Sequence, residues 1–469
     1  GGTLMNQHLL LCGVSAALMR GGDDPPEPGA GINALLYATS NQTLSSSFEV
    51  VTTHAVAWDH LAVSAAGVDR LTIPAALDGK RVRIVGSLDA NGGTIIEIRK
   101  NGASFPGMGS SIGSSSGNTK HHTLSAFVTA TEGDYFQLYA RSISGSPSTD
   151  AAGCWIALEL AKNDFSGALI SASGNVTSNT TTREITFGVE EFDIGDWYDP
   201  ISKPDRFVVP AGVNLIRISG GCLWPSSGNQ VLLGVAKNGD YSDARFTGAP
   251  QIDTEPSVAQ ASRLTLMSGP IPVSEGDEFS LTTYSSSSLT VVPSDYRWMM
   301  IEKLPDDLRY ALLRKTSNQS VGSATTTPLT WNEAVNDNAG MFSSSEPSRL
   351  TVPDGVSKVR LSAGMSRASQ VNQSVFTLYK NGSPSVPGAT AFENNTAGMD
   401  FLHLSTPILD VEPGDYFEVM SYFASASQVQ RGGSTYFSME VVEADDSGDG
   451  EEVIVGEVSV TVDSGKVSA

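Results

Sequence analysis

The chain has 469 residues, of which 17% are charged, with 29 Lys and Arg against 51 Asp and Glu. A net charge of −22 repels a phosphate backbone and excludes nucleic acid as a partner. Abundant Gly, Ser and Thr suit short strands and many turns, and the length allows about three domains.

Residues 1–31 read as an anchoring arm and a spacer. The apolar run His8 to Met19 falls short of the ~20 residues a membrane span needs. No Lys or Arg precedes it to make a secretory leader, and Leu11-Cys12-Gly13 lacks the small residue expected before a lipidated cysteine. The run is expected to dock into a partner, with Asp23-Asp24-Pro25-Pro26-Glu27-Pro28 as an extended spacer. Cys12, Cys154 and Cys222 occupy unrelated places without a CxxC pair, so neither a disulfide framework nor a zinc site is indicated.

Beyond the spacer the chain repeats itself three times. Arg70-Leu71-Thr72-Ile73-Pro74 returns as Arg206-Phe207-Val208-Val209-Pro210 and as Arg349-Leu350-Thr351-Val352-Pro353. Lys100-Asn101-Gly102 returns at Lys237-Asn238-Gly239 and Lys380-Asn381-Gly382. Glu132-Gly133-Asp134 is matched by Glu275-Gly276-Asp277 and by Glu412-Pro413-Gly414-Asp415. A period of about 140 residues is one whole domain, too long for a solenoid repeat. The units are placed at 32–162, 163–305 and 306–444, with 445–469 as an acidic linker and a last strand carrying Val458, Val460 and Val462.

Within each unit the pattern is that of half-buried strands. Each unit opens on one: Ala34-Leu35-Leu36, Ala168-Leu169-Ile170 and Ala311-Leu312-Leu313. Ile96 and Ile98, Leu233 and Val235, and Phe376 and Leu378 alternate with less apolar neighbours ahead of each Lys-Asn-Gly. Asn-Gly then supplies a tight turn, since both residues tolerate positive φ. After each Gly-Asp comes a second one-sided strand, with Phe136 and Leu138, Phe279 and Leu281, or Phe417 and Val419 on the apolar face. The last strand aligns Glu159, Glu302 and Glu440. No acidic or histidine partner stands at a fixed offset from them, so they read as solvent- or interface-facing positions, and exchange for Gln is expected to affect stability little. Many short strands without helical periodicity describe antiparallel sandwiches.

Phe187, Phe192-Asp193, Trp197-Tyr198-Asp199 and Arg206-Phe207-Val208-Val209-Pro210-Ala211-Gly212, followed by the Lys-Asn-Gly hairpin and Gly-Asp, resemble a complement globular-head domain. Thr435-Tyr436-Phe437-Ser438-Met439-Glu440 is similar to that family's final strand. The resemblance runs over residues 30–445 and is thinnest in the first unit, where Pro74 is followed by four residues before Gly79. It implies ten-stranded jelly rolls of the tumour necrosis factor type that assemble by threes as binding heads. Without a collagen stalk, and with an acidic balance, such tandem heads look like bacteriophage virion proteins: head fibres, spikes, decoration proteins or tail fibres. The alternative is a secreted or cell-surface adhesin or lectin with the same heads.

Signals for catalysis are thin. His8, His54, His60, His121, His122 and His403 mark no shared slot, and His121-His122 lacks a third ligand. Gly109-Ser110-Ser111-Ile112-Gly113 and Gly113-Ser114-Ser115-Ser116-Gly117 match G-x-S-x-G inside a Ser/Gly loop, without the strand–turn–helix a nucleophile elbow requires. The acidic run Asp445 to Glu452 lacks the order of a calcium loop. No repeat offers a carboxylate pair fit for glycoside hydrolysis. The expectation is therefore a non-enzymatic protein of the virion surface, with no catalytic residue, cofactor or metal, and with receptor-binding residues unassigned. The arm would hold it to other virion proteins. A host glycan or protein would meet the long loops 103–120, 240–261 and 383–400.

The linkers Ala161–Gly167 and Leu304–Tyr310 have seven residues each, a reach of roughly 23 Å at ~3.3 Å per residue. The resemblance implies that both ends of each head emerge at one end of the jelly roll, so stacked heads would oblige such a linker to climb a whole domain of ~35–40 Å, and an intrachain pseudo-trimer is favoured over a stacked homotrimer.

Overall fold

The structure, a computed structural model, describes residues 33–444 apart from 54, 60, 65–66, 113–118, 144, 173, 225–230, 241–250, 255–261, 292–293, 368–370, 385–389 and 396–400. The arm, the acidic run and the C-terminal valine segment lie outside the described residues.

The described residues form antiparallel sheets with no α-helix. Three times in succession a six-stranded sheet is paired with a five-stranded one. In the first unit the larger sheet runs Ala55–Asp59, Asn33–Tyr37, Trp155–Leu160, Arg81–Ala90, Thr119–Leu124. The smaller runs Glu49–Val50, Tyr135–Ser142, Thr94–Lys100, Ser110–Ile112. The same orders recur in the second and third units, each of which adds a two-stranded ribbon, Val176–Ser178 with Leu289–Val291 and Gln319–Val321 with Ser427–Val429.

Each unit has its own apolar core, built from the inward faces of both sheets. Ile96, Ile98, Phe136 and Leu138 fill the first, Leu233, Val235, Phe279 and Leu281 the second, Phe376, Leu378, Phe417 and Val419 the third. Period-two alternation is what places these side chains on one face. The sheets approach so closely that a Cβ on Gly220 would lie 2.4 Å from Leu281 Cδ1.

The repeated turn is a locked device. Asn101, Asn238 and Asn381 sit at φ of 53°, 54° and 54°, each followed by a glycine of positive φ. The amide of each Asn donates to the Asp that follows Gly133, Gly276 or Gly414, at 2.7, 3.0 and 2.6 Å. The Lys ahead of each Asn pairs with the same carboxylate at 2.6–2.7 Å. Burial opposes ionisation of Asp134, Asp277 and Asp415, but the Lys and Asn donors outweigh it and hold all three below the ordinary carboxylate range. A second device repeats too. Asp59, Asp193 and Asp337 each accept backbone N–H groups four and five residues on, closing the turn behind the second strand of the larger sheet.

Candidate functional site

The outer faces of the six-stranded sheets are where the units meet. Arg83 lies opposite Glu159 across the pair Arg81–Ala90/Trp155–Leu160. Arg217 lies opposite Glu302 in the second unit and Arg360 opposite Glu440 in the third. All six side chains are buried; the glutamates are 1%, 6% and 4% exposed.

Each arginine also reaches the next unit. Arg83 Nη2 donates to Glu302 Oε1 at 2.6 Å, Arg217 Nη2 donates to Glu440 Oε2, and Arg360 Nη2 donates to Glu159 Oε2 at 2.6 Å. Within units, Arg83 Nη1 stands 3.8 Å from Glu159, Arg217 Nη1 3.1 Å from Glu302 and Arg360 Nη1 2.7 Å from Glu440. The pairs run from first unit to second, second to third and third back to first, a closed ring of alternating charge. Burial would raise Glu302, yet the guanidiniums of Arg83 and Arg217 overcome it and hold the carboxyl at about 2. Burial disfavours the charged form of Arg360, but Glu159 and Glu440 more than compensate and raise its pKa.

These glutamates face an interface, not solvent, and the expected tolerance of Glu→Gln is corrected here. Each carboxylate accepts from a buried arginine of another unit, and removing one charge leaves its two arginines undercompensated in a low dielectric. The sequence signal was present at the same slot of every repeat: Val82-Arg83-Ile84, Ile216-Arg217-Ile218 and Val359-Arg360-Leu361 put an arginine between aliphatics in a central strand.

The segments expected as outward loops also differ from that reading. Each contains an edge strand: Ser110–Ile112 in the first, Gln251–Thr254 in the second, Thr390–Asn395 in the third. These strands lie against the neighbouring unit's strands Ser262–Met267, Phe401–Ser405 and Thr119–Leu124 respectively, in the cyclic order of the arginine ring. The rest of these segments falls largely outside the described residues.

Apolar side chains also join the units in places. Leu35, Val85, Leu124, Trp155, Leu169, Met267 and Trp298 join the first and second units in one cluster. Trp298 Nε1 donates to Met108 O at 2.9 Å across that boundary. Tyr296 donates to Glu97 at 2.7 Å and Arg263 pairs with the same carboxylate. Between the second and third units, His403 Nε2 lies 2.7 Å from Met267 O. Its burial, with a smaller contribution from His122, pushes the imidazole down to about 4, although the contact with Met267 O opposes the fall.

At the other side of the ring lies a cavity of about 500 Å³, lined by residues of all three units and of both linkers. Arg217, Glu302, Arg360 and Glu440 form part of its wall. Phe165 and Leu308, from the two linkers, form another. The first strands begin at this level, since Asn33, Gly167 and Tyr310 pair with Glu159, Glu302 and Glu440.

Other residues singled out in the sequence are dispersed. His121 and His122 lie on the edge strand Thr119–Leu124, and the His122 ring is 6.4 Å from that of Trp155. Cys154 and Cys222 are buried free thiols, both pushed up to about 12 by burial. Ser111 is in the edge strand Ser110–Ile112, while the second G-x-S-x-G match lies outside the described residues. Among the described residues no group of three or more His, Cys, Asp or Glu is placed to hold a metal, and no helix is long and apolar enough to cross a membrane. No family model matches the chain. No curated protein matches it either.

Proposed function

We propose that this chain is a covalent pseudo-trimer of three jelly-roll heads, acting as a non-enzymatic surface protein of a bacteriophage virion. The observation that carries the architecture is the closed ring Arg83–Glu302, Arg217–Glu440, Arg360–Glu159. A trimer of separate chains would satisfy such a ring with one arginine and one glutamate repeated by symmetry. Here a single chain supplies all six side chains, and seven-residue linkers suffice because the units stand side by side.

A buried ion-pair ring is poor evidence for extra stability, because desolvation consumes most of the Coulombic gain. It is better suited to specifying which unit sits beside which. Three similar heads in a fixed cyclic order give a rigid multivalent platform, the build of an attachment or decoration protein. The first strand of the first unit begins at the ring level, so the preceding arm is delivered to that end. Anchoring there leaves the opposite end for a host glycan or protein.

Light scattering on the full chain tests the architecture. A mass near 49.2 kDa is expected, and three times that value overturns the intrachain closure. Immunogold labelling of purified virions tests the location. Label confined to secreted or cell-surface fractions would turn the reading to an adhesin of the same build. Release of reducing ends from host polysaccharide by the purified chain would overturn the non-enzymatic part.

A further inference from the structure

The outer faces of the three smaller sheets differ in chemistry. Just ahead of the turn lysines stand Arg99, Ala236 and Tyr379. Paired with Ile95, Leu232 and Val375 across each sheet stand Arg141, Tyr284 and Tyr422. Only the first unit puts arginine at both slots. The second unit's face is acidic, with Glu184, Asp205 and Glu278 gathered on Arg206 and Lys203.

In the first unit three guanidiniums converge on one half-buried ring. Arg99, Arg141 and Arg263 stand 4.8, 5.1 and 5.7 Å from the centre of Phe48, and Arg263 belongs to the second unit. Arg99 also stacks on Tyr139 at 4.5 Å, and Arg263 on Tyr296 at 4.6 Å. The buried carboxylate of Glu97 serves two of the three arginines. It takes Nε and Nη2 of Arg99 at 3.0 and 2.8 Å, and Nη1 of Arg263. Nη1 of Arg99 and Nη2 of Arg263 have no acceptor among the described residues, and these side chains are 23% and 12% exposed. Guanidiniums fixed by aromatic stacking, with outer donors still to offer, are pre-organised for a carboxylate. Charge elsewhere on the chain is screened beyond ~8–10 Å at physiological salt, so this cluster governs what approaches it.

Its place and shape narrow the partner. Arg263 stands opposite Leu223, six residues along the strand from the ring residue Arg217. The cluster therefore lies ~20 Å along the sheet from the ring, toward the end away from the arm. A peptide adding as a strand needs an open sheet edge, and the edge strand Ser110–Ile112 beside this face lies against Ser262–Met267. A flat face of rings and outward donors, with the Tyr139 hydroxyl and Gln137 amide 3.3 Å apart on it, suits sugar rings that carry hydroxyls and carboxylates.

We propose that this face of the first unit binds an acidic glycan, a polysaccharide of carboxylate-bearing sugars. The proposal rests on the reading that the end away from the arm meets a host glycan; it names that glycan's chemistry and the one head that takes it.

Calorimetric titration of the full chain with hexagalacturonate tests it. One site is expected, weakening as sodium chloride is raised. Arg99→Gln/Arg141→Gln should weaken binding about tenfold or more, while Arg349→Gln on the third unit leaves it unchanged. Should the double variant lose its thermal transition, Arg141→Gln alone serves, with a loss of about threefold expected. Neutral maltohexaose and hexaglutamate should bind at least about tenfold more weakly than hexagalacturonate. Equal binding of maltohexaose would remove charge from the account, and equal binding of hexaglutamate would give the face to acidic peptides. Either result overturns the proposal, as does silence of the full chain or indifference to the arginine exchange. Glycan binding by a chain found on cells would keep this proposal and sink the virion location, whereas virion label without binding would do the reverse.

Discussion

The junction between the first and second units and the junction between the third and first are built differently. At the former a cluster spans the boundary, with Leu35, Leu124, Leu169 and Trp298 in contact, Glu97 engages Arg263 and Tyr296, and a linker joins the units covalently. At the latter no hydrophobic cluster of the described residues crosses. The strand Thr390–Asn395 lies against Thr119–Leu124, and Arg360 pairs with Glu159 at 2.6 Å. The second and third units are intermediate, sharing Leu215, Leu304, Tyr310, Leu312 and Tyr436. A closed ring made from one chain must have one seam without a covalent link, and there the ion pair carries more of the specification.

The contrast can be broken at its strong side first. Trp298→Ala removes a fully buried indole and its bond to Met108 O, and a loss of about 3–5 kcal/mol is expected by denaturant unfolding. A loss comparable to a surface substitution would mean that this junction does not fold with the units. At the seam, Glu159→Gln should cost about 3 kcal/mol by leaving Arg360 and Arg83 undercompensated. Replacing all six ring residues by apolar ones of similar volume should recover most of that loss. Failure of the six-fold variant to recover stability would show that the ring stabilises as well as specifies. Small-angle scattering on Glu159→Gln should also show a wider particle if the seam opens first.

Acid probes the intermediate junction. His403 holds its folded pKa near 4, below the ordinary 6.5, so the unfolded chain takes up the proton first. Stability from this group is full above pH 6.5 and falls as pH drops through the window toward 4, by about 2 kcal/mol at pH 5. His403→Gln should flatten the thermal transition between pH 7.5 and 5, and an unchanged slope would refute the assignment. Glu302 acts lower, losing its contribution between pH 4.5 and about 2. The smallest effect is expected far from any junction. Asp277→Asn breaks the Lys237 pair and weakens the Asn238 turn of one unit, for about 1 kcal/mol. Thermal melting should show that loss with no change in particle size.

The sequence carried the local structure because local structure has local causes. Asn101, Asn238 and Asn381 announced their turns since few other residues accept positive φ, and the alternation around Phe136, Phe279 and Phe417 marked the faces that became cores. It showed equally that Glu159, Glu302 and Glu440 share one face and one slot. What covers that face was decided only by the tertiary structure. Arg360 and Glu159 stand 201 residues apart, and period-two patterning says which way a side chain points but not what stands opposite it. The ring, the cavity behind it and the placement of the edge strands Ser110–Ile112, Gln251–Thr254 and Thr390–Asn395 against strands of neighbouring units all arise from packing between units, where charges far apart in the chain are desolvated together and must find one another.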